Sequence, residues 1–434
     1  MKLMDGGKTM RQDVMNLKKM SKNQLIDFSK PKYVYIPLAS GKDENVTVLV
    51  KKGDYVKIGT VIGKRKGTKK IPIHATVSGY VMGIEKKLYV TGQLVRCIKI
   101  ENDGKECYLE ENIDQKKMSQ YTKEEFLETI LDTGIVGLGG DAFPTYIKYN
   151  TDKKINTLVI NAVECEPYNT SDTTLLFEKC EEILEAIDAI MEINHIEHAI
   201  IAVPKEETEL IRKLNNFIGT YLNIEVKALS SSYPIRWERK LVKETKHVNY
   251  KFIPLEKGII VNNVSTIYAI YEALKQKKPL VDRIVTFTGN GLKKQCNVKL
   301  KIGTLAKDVI KKIGGYQNVD DMILIAGGAM MGNALPSDEL AISPEVSCVL
   351  VLPYEKNKIA NPCIRCGKCV QMCPAKLNPV MIAEAYQEKN IKLLQQLEVK
   401  RCIGCGLCSF ICPSNRNIRN QIKLAKKLCE EEGK

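Results

Sequence analysis

Eight of the fifteen cysteines stand in two copies of one spacing. Cys363, Cys366, Cys369 and Cys373 precede Pro374, and Cys402, Cys405, Cys408 and Cys412 precede Pro413. A C-x2-C-x2-C loop turns tightly enough to offer three thiolates to three corners of an iron–sulfur cubane. The fourth cysteine, three residues on and followed by proline, falls at a helix start and reaches the other cubane of a two-cluster unit. The spacing assigns Cys363, Cys366, Cys369 and Cys412 to one [4Fe–4S] cluster, and Cys402, Cys405, Cys408 and Cys373 to a second. Structural zinc favours two C-x2-C pairs far apart and fits two complete copies of this pattern poorly. Two all-cysteine cubanes imply one-electron transfer rather than catalysis at iron. Residues 354–434 are therefore expected to form a helical, ferredoxin-like 2×[4Fe–4S] domain.

The rest of the chain must supply what exchanges electrons with such a unit. At 434 residues it exceeds one ordinary core and predicts several domains. The other seven cysteines (Cys97, Cys107, Cys165, Cys180, Cys296, Cys348 and Cys429) are scattered singly, and "MKLMDGGKTMRQDVM" lacks an apolar signal core. A reducing cytoplasm is expected. No apolar run approaches the ~18 residues of a spanning helix, so no transmembrane segment is expected. The net charge of +15 points to an acidic partner, either an anionic membrane face or an acidic redox protein. Spread lysines and 6% aromatic residues argue against a nucleic-acid surface.

Residues 33–115 read as short strands between turns, in "NVTVLVKKGDYVKIGTVIGK" and "HATVSGYVMGIEKKLYV". The pattern V-x-x-G-D-x-V-x-x-G followed by V-S-G-Y-V resembles the flattened half-barrel, or barrel-sandwich hybrid, of biotinyl and lipoyl carriers. No lysine stands near Ser78-Gly79, so the barrel is read as scaffold. Residues 116–280 change rhythm. Thr122 and Glu125 form a capping box before a helix ended by Gly134. Strands at 157–163, 198–204, 224–229 and 258–264 then alternate with helices, one of them running through "TLLFEKCEEILEAIDAIMEI". This βαβα order predicts a multidomain α/β protein with a Rossmann-like parallel sheet, and ligands at the carboxyl ends of its strands. Residues 281–353 read as a small α+β unit, and residues 1–32 as an N-terminal segment.

Three stretches of the α/β region suit a ligand. "GIVGLGGDAFPTYIK" carries Gly134, Gly137, Gly139, Gly140 and Lys148, where backbone N–H groups and a cation can meet a phosphate; a ligand-free Gly-rich turn would read the same way. "NAVECEPY" sets Glu164 and Glu166 around Cys165 at a strand end, as a solvated acidic turn also would. "VNNVSTIYA" places Asn262 and Asn263 at another strand end, suited to a heterocycle edge or an ordinary Asn turn.

Taken in order, G-x-x-G-x-G-G-x-x-F-P-T-x-x-K, N-A-x-E-C-E-P-Y, Y-P-x-x-x-E, V-N-N-V and the paired cysteine runs resemble the RnfC family, which supplies one component of the Rnf electron-transport complex. More distantly, they are similar to the flavin subunit of respiratory complex I. The resemblance implies an FMN-binding domain, a β-grasp-like (SLBB-like) domain containing "GGAMMG", and electron transfer from NAD(P)H through FMN to two clusters and a partner. Gly137, Gly139, Gly140 and Lys148 would hold the FMN phosphate and ring. Asn161, Glu164, Asn262 and Asn263 would contact the flavin; Glu166, beside the nicotinamide, and Glu238 would be the catalytic carboxylates. The partner would be membrane-bound Rnf-type subunits, giving a peripheral position on the inner face of the membrane. Relatives serving a soluble reductase such as proline reductase, or a flavin-less ferredoxin-like adapter, are the alternatives.

The chain departs from the family pattern in four places, one of them the stretch after "ECEPY", where "NTSDTTLL" keeps only Asp172 of an acidic-Arg run. "YPIRWERKL" carries Arg236-Trp237 where small residues are usual, Asp141-Ala142 replaces Ala-Gly, and "GGKTM" stands where the family has G-G-[IV]-H-P. Arg236 and Trp237 would either obstruct a dinucleotide or pair with a phosphate and stack on a ring. Asp141 would weaken a phosphate cradle unless Lys148 or Arg236 neutralises it.

Overall fold

A computed structural model describes residues 17–22, 24–41, 44–67, 70–109, 116–318, 321–354 and 359–432. "GGKTM" lies outside the described residues. The chain divides into two units: residues 1–328 with 333–353, and residues 329–332 with 354–434.

In the first unit, the alternating residues after position 33 fold into the expected half-barrel. One sheet runs Tyr33–Pro37, Leu94–Asn102, Gly79–Leu88, Tyr55–Val56; the other runs Val46–Val48, Val61–Arg65, Pro72–His74. Val34, Ile36, Ile62, Val81, Ile98 and Ile100 fill the space between them. Gly79 is required by close approach: at φ +146° a Cβ there would run into the Glu101 carbonyl.

The α/β region contains four parallel strands in the order Ile224–Leu229, His198–Pro204, Thr157–Asn161, Ile259–Asn263. The chain builds outward from the 157 strand and then returns to lay the 259 strand on its other side. The order therefore reverses between these two strands, and the crevice at their carboxyl ends is where such sheets take ligands. Both strands are apolar on both faces, as a doubly covered sheet requires. Leu158 and Ile160 pack in the cluster that includes helices Cys180–Ile193 and Val264–Gln276; Val159 and Val261 pack with Leu241 and Val242 of helix Glu238–Lys246.

The helix expected through "TLLFEKCEEILEAIDAIMEI" is two helices, Ser171–Glu178 and Cys180–Ile193, parted at Lys179 (φ −120°, ψ 37°). The break lets the first aim its N-terminus at the strand end while the second lies along Val264–Gln276. The strand expected at 258–264 ends at Asn263, whose side-chain oxygen accepts from the Ser265 N–H and starts the next helix.

Residues 282–353 form a six-stranded sheet in the order Leu25–Phe28, Cys296–Lys301, Asp282–Thr288, Cys348–Pro353, Met322–Ala326, Asn333–Leu335. Its first strand comes from the segment read as a plain N-terminal extension, laid parallel with Leu25 opposite Asn297. The same segment bonds the α/β region: the Lys18 ammonium donates to the Glu164 carbonyl, and the hydroxyls of Ser21 and Thr170 lie 3.0 Å apart.

In the second unit the cysteine repeat is also a backbone repeat. Gly367 (φ +73°) starts helix Lys368–Gln371 and Gly406 (φ +79°) starts Leu407–Phe410. The N–H of Arg365 meets the Cys363 sulfur at 3.4 Å, and that of Gly404 meets the Cys402 sulfur at 3.4 Å. Between the runs, Asn378 and Asn390 cap two helices, Pro379–Gln387 and Ile391–Gln396, and Asn417 caps Ile418–Glu431. No helix among the described residues is long and apolar enough to cross a membrane.

Phe126 is fully buried and meets Tyr149 edge-on, with ring centroids 5.2 Å apart; the Tyr149 hydroxyl accepts from the Asn262 amide. Phe126→Ala is expected to cost about 3–5 kcal/mol by cavity formation. The loss should show as a lower denaturant midpoint for the α/β region.

Candidate functional site

Asn161 and Asn263 stand opposite one another in register at the ends of the two central strands. Each is held by its own amide. Asn161 Nδ2 donates to the Arg236 carbonyl at 3.1 Å, and its oxygen accepts from the Val163 N–H at 3.2 Å. Asn263 Nδ2 donates to Asp172 Oδ2 at 2.7 Å. Asn262 points the other way, into the core at Tyr149.

Asp172 gathers the crevice. At 1% exposure its carboxylate takes Arg236 Nη2 at 2.9 Å, Asn263 Nδ2 at 2.7 Å and Ser265 Oγ at 2.7 Å. A buried charge is tolerated only when paired and hydrogen-bonded, and here it is both. Burial opposes the charge on Arg236, but the carboxylates of Asp172 and Glu164 hold its pKa above the ordinary value. The "YPIRWERKL" loop is thus tucked inward through Arg236, while Trp237 precedes helix Glu238–Lys246 and is half-buried.

Glu164 is fully buried and caps helix Ser171–Glu178. Its oxygens accept from the N–H groups of Asp172 (2.9 Å) and Thr173 (3.0 Å) and from the Thr173 hydroxyl (2.8 Å). Burial, with the charge of Asp172, pushes its carboxyl up. Glu166, 7% exposed, lies against the Gly328 backbone, where a Cβ would collide with its carboxylate.

The Gly-rich loop closes the crevice. A Cβ on Gly139 would sit 3.4 Å from Asn263 Cβ and 3.8 Å from Arg236 Nη2, so glycine lets the loop lie on the strand end and the guanidinium. Gly140, at φ +113°, has open space where its Cβ would be. Asp141 folds back over its own loop: Oδ1 accepts from the Phe143 N–H at 3.2 Å and covers Gly137. Ala142 takes φ +46°, a left-handed conformation that favours glycine. Lys148 donates to the Val261 carbonyl at 2.9 Å. Burial raises the pKa of Glu238, Lys148 opposes the rise and Asp141 adds to it; the Tyr250 hydroxyl lies 3.4 Å away. Gly139, Asn161, Asn263 and Arg236 meet at the ends of the two central strands; Gly134 lies instead against Pro72 and His74 of the half-barrel, Glu166 against Gly328, Lys148 on the Val261 carbonyl and Glu238 beside Tyr250, while Asn262 and Glu164 face inward. The pattern of residues assigns no partner to Asp172, although the aspartate is visible in "NTSDTTLL".

In the second unit, Cys373 lines one small cavity with Cys402, Cys405 and Cys408, closed by Leu377, Arg419 and Ile422. The cysteine that follows the first run therefore lies with the second. No three His, Cys, Asp or Glu side chains among the described residues are placed to hold a single metal ion.

Asp172→Asn keeps the shape but removes the charge that offsets Arg236. It is expected to destabilise the region by about 3–5 kcal/mol and to lower flavin per chain while iron per chain is unchanged, as counted after anaerobic purification. Glu238, with its folded pKa raised above the ordinary 4.5, contributes stability that is present below that value and lost as pH rises through the raised one. Glu238→Gln is therefore expected to gain Tm relative to the parent above about pH 4.5, with no difference in slope below it.

Residues 130–272 match the Nuo51 FMN-binding domain, residues 12–105 the RnfC barrel sandwich hybrid domain, and residues 355–413 a 4Fe-4S dicluster domain. The chain is 33% identical to the C subunit of the Na(+)-translocating ferredoxin:NAD(+) oxidoreductase complex of Acetobacterium woodii, over 83% of each chain. It is 32% identical to the proton-translocating counterpart of Clostridium ljungdahlii, over 86% of this chain and 83% of that one. The C subunit of the ion-translocating oxidoreductase complex of Haemophilus influenzae is 32% identical, over 80% of this chain and 54% of that one. An NAD+-reducing [NiFe]-hydrogenase in its air-oxidized state shares the fold, with TM-score 0.53 at 14% identity over 74% of this chain and 64% of that one. The crevice with its glycine loop suits FMN, and eight cysteines in two repeated runs suit two [4Fe–4S] clusters. On these matches the chain belongs to the RnfC family of electron-transport complex subunits.

Proposed function

We propose that this chain passes electrons between NAD(P)H and a membrane-bound Rnf-type partner, through FMN in the α/β crevice and two cubanes in the C-terminal unit. The observation that carries the reading is the crevice between the 157 and 259 strands, walled by a glycine loop and an arginine, on the same chain as two cysteine runs of which the first lends Cys373 to the cavity of the second. FMN, when bound, accepts electrons as a hydride pair and releases them singly, the conversion needed between a nicotinamide and iron–sulfur clusters.

The chain's own residues bind and orient. Backbone N–H groups around Gly139 and Gly140 and the cations Lys148 and Arg236 suit the phosphate and ring edge of the flavin. Asn161 and Asn263 are rigid because each is bonded into the crevice wall. Glu238, its pKa raised by burial, and Glu166 are the carboxylates suited to meet a nicotinamide or a proton. Glu164 and Asn262 support from behind: one starts the helix that presents Asp172, the other fixes the strand end on Tyr149. Arg236, folded onto Asp172, lies inside the wall rather than across the opening.

Cys363, Cys366, Cys369 and Cys412 would ligate one cubane, and Cys402, Cys405, Cys408 and Cys373 the other. The barrel at residues 33–115 is read as a non-swinging scaffold and residues 281–353 as a β-grasp-like link. A basic chain without a spanning helix among its described residues suits a peripheral place on the inner membrane face, held by the partner subunits.

Anaerobic titration with NADH should bleach the flavin band and then the cluster absorbance. Bleaching of neither with FMN bound would exclude NADH as donor. About eight irons per chain are expected, and fewer than about six would sink the two-cubane assignment. Cys373→Ala should diminish the cluster of the later run; loss of only the earlier one would overturn the crossed ligation.

A further inference from the structure

The two cysteine runs repeat each other in backbone but not in exposure. Cys366, Gly367 and Lys368 are exposed, while their counterparts Cys405, Gly406 and Leu407 are buried. Ile364, between two ligand cysteines, is 68% exposed, and Val370 and Met372 are also on the surface. The later run is covered from within its own unit. Arg419 donates to the carbonyls of Gly404 (2.9 Å), Gly332 (3.0 Å) and Met331, and the Met330 carbonyl lies so close to Gly406 that a Cβ there would collide. Val380 holds the place in the first copy that Arg419 holds in the second, and it brings no such clamp.

The rim of the open run is basic. Arg365, Lys368 and Lys376 are exposed; Arg365 pairs with Glu384 at 3.2 Å, and no other Asp or Glu occurs from residue 359 to 387, which leaves the rim a net positive charge. Residues 354–434 hold 15 Lys and Arg against 7 Glu, so they carry +8 of the chain's +15. A few exposed apolar side chains beside a redox centre, ringed by one sign of charge, make a small interface that steers by charge and releases readily.

The geometry points to the cubane of Cys363, Cys366 and Cys369 as the terminal cluster, exchanging electrons with a small acidic one-electron carrier that docks on Ile364, Val370 and Met372 within the Arg365–Lys368–Lys376 rim. The proposal deepens the electron-transfer reading, rests on its cluster assignment, and sets a mobile carrier between this cubane and the membrane-bound partner. The step is one electron passing from the reduced cubane to the oxidised centre of the carrier, or the reverse, with no bond made or broken and no proton moved. An anionic membrane would satisfy the charge but cannot take the electron, and it gives no reason for the cluster edge to be bare.

The test uses the full-length, cluster-loaded protein with an acidic 2[4Fe–4S] ferredoxin as probe, measuring Kd across a salt series. Arg365→Glu with Lys368→Glu is expected to weaken binding at least about tenfold at low salt and to flatten the salt dependence. Lys392→Glu, an exposed reversal on helix Ile391–Gln396, should stay within about twofold, since one remote surface charge is largely screened. Iron content and the cluster EPR signals are read on every variant. If the double reversal loses iron, Arg365→Gln with Lys368→Gln replaces it and should weaken binding several-fold. Equal effects of the rim and Lys392 variants, or salt-independent binding, would overturn the proposal. So would a rim-dependent attachment to phosphatidylglycerol vesicles without ferredoxin binding. Iron below about six per chain in the parent protein would instead count against the cluster assignment itself.

Discussion

The buried carboxylate of Asp172 is the point on which the crevice depends. A charge at that depth forces the surrounding structure to supply donors, and it draws them from two separate parts of the chain: the loop before helix Glu238–Lys246, and the junction where the 259 strand passes into the helix that follows it. Burying an ion pair contributes little net stability, yet breaking one is costly, so such a network specifies one geometry better than it stabilises it. A flavin site needs that specificity, because a ligand held by glycine backbone and a few side chains tolerates little displacement of either wall.

The carboxylates of "ECEPYNTSD" divide the labour. Glu164 satisfies the free N–H groups of helix Ser171–Glu178 and so aims that helix, whose first turn carries Asp172. Glu166 turns instead toward the backbone at Gly328. Although only two residues apart, the pair therefore faces different surroundings: one carboxylate supports a helix from within, and the other packs on the Gly328 backbone. Arg236, bulky where the resemblance leads one to expect a small residue, fits because Asp172 gives its guanidinium a destination inside the wall.

The sequence revealed most where chemistry fixes spacing. Cubane ligation demands the cysteine offsets, and the parallel sheet follows from alternating apolar runs and capped helices, so both could be read locally. Residue roles that depend on distant partners could not. "NTSDTTLL" shows an aspartate but not the arginine some sixty positions on that it pairs with. The break at Lys179 leaves the apolar period intact and so hid inside one helical pattern. Exposure was equally hidden: the two cysteine runs look alike, and only Arg419 and residues 329–332 tell them apart. The Leu25–Phe28 strand was missed because four residues outside the region of their sheet give no signal of what they pair with.

That strand has a consequence for how the molecule comes into being. Leu25 lies beside Asn297, so a strand must wait for a partner made about 270 residues later in synthesis. The half-barrel and the four-stranded parallel sheet are complete in sequence before then and can condense on their own, whereas the six-stranded sheet must close a very long loop. Lys18 and Ser21, which reach Glu164 and Thr170, would hold the waiting segment on the already folded α/β region. The nascent chain would thus carry its edge strand pre-docked, and the cysteine-bearing unit, made after these regions, would meet iron and sulfide only once they have taken shape.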